Sequence, residues 1–225
     1  MEKENEIKGR QKPASEQFSR SRLFTRLIML GIVLDLVLLA DPIDPLANAN
    51  LTIHMFQHIG LFAGSAIFGY GFDRYLALRL NVLKQKFHLF YSVLLSIMKT
   101  NLKTKGLVLG AAIPAIVVTF WHWPSNFDLA VTNPYVHIIE HLSFILAGGL
   151  VGLSIVAIPS KIRIILLYVG FMQAGMMGSM MLVWPYFYTT YSPLQNTEMD
   201  AAMMLFGAFG IIASSSALLK RFDVI

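Results

Sequence analysis

Cysteine is absent from the 225 residues, and charge is scarce: Lys, Arg, Asp and Glu make up 14% of the chain against 56% hydrophobic residues. The first absence excludes disulfides, cysteine zinc fingers, iron–sulfur clusters and thiolate ligands. Any metal site must therefore be built from His, Met, Asp or Glu. The second absence argues against a water-soluble globule and for an integral membrane protein. A cleavable signal peptide is not evident either, since the first 22 residues (MEKENEIKGRQKPASEQFSRSR) lack an apolar core and a small-residue cleavage site. Residues 1–22 are expected to form a disordered tail, and residues 23–225 a single transmembrane domain.

Six apolar stretches cover residues 23–40, 53–72, 106–121, 135–158, 162–184 and 201–219. A helical span needs about 20 apolar residues, so five fit and 106–121 sits at the short limit. The expected fold is an all-α, polytopic membrane bundle of six helices. Residues 87–98 are apolar but short and flanked by lysines, which predicts an interfacial segment over about 84–105. With six spans and both termini cytoplasmic, all 18 Lys and Arg fall on the cytoplasmic side, as the positive-inside rule requires. The net charge of +5 then reflects topology and contact with anionic lipid. No nucleic-acid motif accompanies it. Gly60 with Gly64, and Gly148 with Gly152, form small-residue faces for close helix packing, and Pro114 is expected to kink the third span.

On this topology His88 lies on the cytoplasmic side among lysines, while the other five histidines gather at the outer ends of three helices. His54 and His58 sit in HMFQH, His122 in WHWP, and His137 and His141 in HIIEH. Residues four apart share a helix face with Cβ atoms about 5–6 Å apart, so each pair can aim two imidazoles at one point. The two pairs also match in depth, level by level, and His122 arrives from a third direction. Ionisable groups inside a membrane are functional by default, and the convergence predicts a metal or cofactor site made of His54, His58, His122, His137 and His141. Set against this is the plain reading of interfacial histidines hydrogen bonded at the headgroup level.

Glu140 shares a face with His137 and is expected to bond the free nitrogen of a ligating histidine and so fix its tautomer. Asp35 is open to two readings, a helix-packing hydrogen bond or a carboxylate facing the site. Met172, Met176 and Met180 line one face of the fifth span, with Met177 and Met181 beside them, and Met199, Met203 and Met204 open the sixth. Thioethers and imidazoles both suit copper, although packing explains a methionine stripe more simply.

The stretches HMFQHIGLF, WHWPSNFDLAV and HIIEHLSFILAGGL, within residues 50–155, together resemble the CtaG-type cytochrome c oxidase assembly factors and their archaeal relatives. The resemblance implies an α-helical protein of the cell membrane that helps copper reach a haem–copper oxidase on the outer face. His54, His58, His122, His137 and His141 match the family's histidines and Glu140 its acidic position. Ile59 stands where the family often has Met, and the chain is shorter than typical members.

The expected function is therefore copper binding at the outer face, in the assembly of a copper-dependent membrane oxidase or monooxygenase or as its accessory subunit. No catalysis is required, membrane lipid is a partner, nucleic acid is not, and self-association into a homo-oligomer stays open. Two alternatives use other cofactors. HIIEH fits the H-x-x-E-H zinc hydrolase pattern, with Glu198 as a third ligand or Asp35 in a three-histidine variant. Paired histidines on facing helices also suit haem in a respiratory-chain subunit. A structural subunit without a site is the remaining reading.

Overall fold

The computed structural model describes residues 14–86 and 106–221. Every regular element among them is helical: α1 (Ala14–Leu39), α2 (Ile43–Ala49), α3 (Leu51–Lys86), a π-helical turn (Val108–Ala112) running into α4 (Ile113–Trp121), α5 (Pro124–Thr132), α6 (Pro134–Ser154), α7 (Ser160–Val183) and α8 (Pro193–Arg221). Helices α3, α6, α7 and α8 are each long and apolar enough to cross a bilayer. The pairs α1–α2 and α4–α5 qualify when each bent pair is taken as one span, giving up to six. Their outward faces carry exposed Ile116, Leu146, Phe209 and Ile212, a surface that only lipid solvates well. The chain is a multi-pass membrane protein.

The two bent pairs shape the end of the bundle that carries the histidines. Helix α1 turns through 54° into α2, and α4 turns through 71° into α5. The second corner is the WHWP stretch, where Pro124 takes the first turn of α5 and so forfeits no hydrogen bond. Near the other end of α4, Pro114 has no amide hydrogen to return to the preceding turn and its ring crowds that turn. The chain answers with the wider π-helical turn over Val108–Ala112.

Two boundaries differ from expectation. Helix α1 begins at Ala14, so residues 14–22, expected as tail, are helical. Adding polar turns to a helix already nucleated by an apolar segment costs little, because nucleation is the expensive step. Helix α3 continues to Lys86, a rod of 36 residues and roughly 54 Å, longer than the ~30 Å hydrocarbon core. Its basic end therefore reaches past the core. Beyond Lys86 the expected interfacial segment and His88 lie outside the described residues, as do residues 1–13.

Packing is backbone to backbone. Helix α3 lies between α1 and α6, and α7 pairs with α8. A Cβ on Gly152 would come within 2.1 Å of the Ala66 carbonyl oxygen, and one on Gly148 within 2.2 Å of the Phe62 oxygen. Only glycine permits α6 to lie this close to α3. Gly60 and Gly64 instead face α1, against Leu38 and Asp35. The Ser65 hydroxyl donates to Asp35 Oδ2 at 2.6 Å, which makes Asp35 a helix-packing carboxylate.

Candidate metal centre

The site starts from two asparagines. Asn50 accepts from the Ile53 amide at 3.1 Å and caps α3; Asn133 accepts from Tyr135 and Val136 and caps α6, with Pro134 following it. The first helical bond after each cap comes from a histidine, His54 N–H to the Asn50 carbonyl and His137 N–H to the Asn133 carbonyl, both 3.0 Å. Each helix thus places histidines four and eight residues after its cap. Because the helices run side by side in the same direction, the registers coincide. The His54 ring meets His137 at 5.3 Å between centroids, and His58 meets His141 at 5.6 Å.

Between the pairs stands Glu140, fully buried. Its Oε2 lies 3.7 Å from His54 Nε2 and its Oε1 3.6 Å from His58 Nε2, while those two nitrogens are 3.0 Å apart. In tetrahedral coordination with bonds of 2.0–2.1 Å, neighbouring donor atoms stand about 3.3–3.4 Å apart. The observed spacings bracket that edge. Both Glu140 oxygens and His141 Nε2 lack any hydrogen-bond partner, which is unusual for buried polar atoms. His54, His58, Glu140 and His141 each offer one donor atom within 4.8 Å of the others, and all four residues are buried. This group can hold a metal ion. The sequence suggested a supporting bond from Glu140 to a histidine; in the fold its carboxylate stands among the donors themselves.

The tautomer of His54 is set from outside the cluster. Tyr191 donates its single hydroxyl proton to the Ala47 carbonyl at 3.1 Å, so its oxygen accepts from His54 Nδ1–H at 2.9 Å. His54 Nε2 is then a bare lone pair directed at His58. Burial, followed by the nearby Glu140 charge, pushes the Tyr191 phenol up, which keeps that proton in place. Tyr191 is fixed in turn by its own loop. Asp128 on α5 accepts from the backbone N–H and hydroxyl of both Thr189 and Thr190, at 2.6–3.2 Å. Phe127 on the same helix is fully buried, its ring tilted against those of His54 at 4.9 Å and Tyr188 at 4.1 Å between centroids. These aromatics cover the side of the cluster at His54, which is fully buried.

A second donor group adjoins the first. Asp44 Oδ1 lies 3.4 Å from His137 Nε2 and 3.7 Å from His141 Nδ1. Asp44, His137 and His141 form a set of three that shares His141 with the buried four.

A family model described as a protein of unknown function (DUF1404) matches residues 29–222, a stretch that contains every donor named above. The chain belongs to the DUF1404 family. No curated protein and no solved structure matches it.

Among the described residues, then, this DUF1404 chain brings together His54, His58, His137, His141 and Glu140, and leaves His122 at one side. The His122 ring is 6.1 Å from that of His58, and its Nδ1–H donates to the Val118 carbonyl at 2.7 Å. The same carbonyl accepts the His122 backbone N–H at 3.1 Å, so the ring folds back onto the last turn of α4. It belongs to neither donor group. Glu198 is exposed on α8. Met172, Met176 and Met180 face outward, each about half exposed, so this stripe does not lead to the histidines. Met55, Met199 and Met203 are buried with Tyr191 and Phe127 as packing. Asp44 and Tyr191 were not singled out from sequence. Asp44 lies in one of the basic-free loops beside the HMFQH helix, which was a usable signal. Tyr191 carried none beyond an aromatic-rich loop.

Proposed function

We propose that this chain binds copper through His54, His58, His141 and Glu140 at the outer face of a cell membrane. It would serve a copper-dependent membrane oxidase or monooxygenase, as an assembly factor or as an accessory subunit. The observation that carries the metal reading is Glu140, a fully buried carboxylate whose two oxygens lack hydrogen-bond partners and oppose two imidazole nitrogens. A cation there would satisfy all of them at once. Imidazole-rich sites suit copper, and the resemblance to CtaG-type factors favours it over other first-row ions. Four protein donors also leave no obvious place for a reacting water, which supports holding and handing on an ion over catalysis with it. Haem fits less well, since imidazoles 4.5–6.3 Å apart centre to centre close on one another and suit a compact ion.

The test is metal analysis of purified protein beside a His54→Ala, His58→Ala double variant, after loading with Cu(I) and separately with Zn(II). Copper held by the wild type and lost by the variant supports the reading. Equal copper in both overturns it.

One observation favours a zinc hydrolase as the second reading. The trio Asp44, His137 and His141 borders a cleft of about 210 Å³ and has room for a fourth, water ligand. Glu140 would then have to act as base, yet it is fully buried, with its oxygens held among His54, His58 and the inward nitrogen of His137. Lipid or peptide hydrolysis by the zinc-loaded protein, abolished by Glu140→Gln with zinc retained, would put this reading first.

A further inference from the structure

We infer that Asp44, His137 and His141 form a second, outer metal position through which an ion reaches the buried four. The inference rests on the metal-binding reading above and adds a route to it. Side-chain exposure falls in one direction: 31% for Asp44, 9% for His137, 6% for His141, then 0% for both His54 and Glu140. Asp44, His137 and His141 line a cleft of about 210 Å³ between α2 and α6, and of the buried four only His141 borders it. An ion arriving at this face meets Asp44 first.

The donors form an unbroken ladder. Asp44 Oδ1 stands 3.4 Å from His137 Nε2, the other ring nitrogen of His137 stands 3.5 Å from Glu140 Oε2, and that carboxylate stands 3.6–3.7 Å from the Nε2 atoms of His58 and His54. His141 belongs to both groups, with Nδ1 toward Asp44 and Nε2 unpartnered. An ion can therefore exchange outer ligands for inner ones singly, and no step requires a bare ion. The change is ligand substitution only. The oxidation state is constant, and Asp44 and His137 return to their starting state once the ion has passed. Three donors against four make the outer position the weaker, which directs the ion inward. Gln57 holds the rung in place, since its amide donates to Asp44 Oδ1 at 2.9 Å and to the Leu38 carbonyl at 2.7 Å.

The test uses the full chain in detergent or nanodiscs, stripped of metal and mixed with Cu(I) supplied as a coloured chelator complex. Chelator release reports loading. Asp44→Asn keeps the shape and the acceptor for Gln57 but binds metal poorly; His137→Ala removes the other outer-only ligand. Both variants should load at least about tenfold more slowly than wild type, the scale on which loss of a metal-site partner acts. They should reach the same single equivalent of copper with unchanged final affinity. Wild-type loading rates in both variants overturn the route. So does loss of final affinity comparable to that of Glu140→Gln, or a second tightly held equivalent that Asp44→Asn removes. A wild type that takes up no copper overturns the reading beneath as well, which separates the two failures. Thermal unfolding of the metal-free variants identifies any slow loading that comes from misfolding.

Discussion

Tyr191 and His54, 137 positions apart, meet through a hydrogen bond of 2.9 Å whose direction is fixed by a third group, the Ala47 carbonyl. The phenol proton is committed elsewhere, so the imidazole must donate, and its Nε2 is left ready to bind a cation. Tyr191→Phe removes that acceptor while keeping the ring. Metal affinity should fall by about 10–100-fold, the usual effect of losing a ligand's supporting bond. Competition with a chelator of known affinity measures it, and an unchanged affinity would show that the tautomer is set in another way.

Glu140→Gln keeps the size of the side chain and removes its capacity to carry negative charge. A ligand present at a hundred times its Kd stabilises the folded state by about 2.7 kcal/mol. The wild type should show a metal-dependent rise in unfolding temperature of that origin. In Glu140→Gln the rise should nearly vanish, as followed by thermal unfolding in detergent with and without copper.

His122→Ala separates the donor set in the fold from the wider set suggested by the sequence. The ring lies outside both groups and its Nδ1–H is bound to Val118, so copper content should be unchanged. His58→Ala, measured beside it, should lose the ion. An empty site in His122→Ala would show that the fifth histidine is a ligand after all.

Gly152→Val tests the helix contact beneath the site. Its Cβ would fall 2.1 Å from the Ala66 oxygen and 2.6 Å from the Tyr70 amide nitrogen, both backbone atoms that cannot swing aside. Overpacking of this kind costs about 1–3 kcal/mol or more. The variant should unfold at lower temperature and hold less metal, because α6 must withdraw from α3. Gly170→Val, with open space at its Cβ, is the control expected to leave both unchanged.

The spans and the paired histidines were legible because each rests on a local pattern, apolar length for the first and i, i+4 spacing for the second. The matching depth of the pairs was readable too, from spacing and topology, and the structure gives its basis in the caps Asn50 and Asn133, four residues before His54 and His137. What the sequence could not supply were contacts made across corners. Asp44 reaches the site only because α1 bends by 54° into α2, and Tyr191 only because Asp128 holds its loop. His122 shows the opposite case: the sequence brings it toward the pairs from a third direction, yet at the corner its Nδ1–H turns to the Val118 carbonyl, which also accepts the His122 backbone N–H. Depth along a helix is a property of one segment, whereas direction at a bend depends on what the bend packs against.

The glycine contacts between α3 and α6 have a consequence for selectivity. With backbone resting on backbone at Gly148 and Gly152, the helices have no compressible layer between them. The span between the HMFQH and HIIEH walls is thus a gauge of fixed width, and an ion too large or too small for it must strain the ligand bonds, because the walls will not move. Discrimination among metals of similar chemistry would then be written in two residues that never touch the ion.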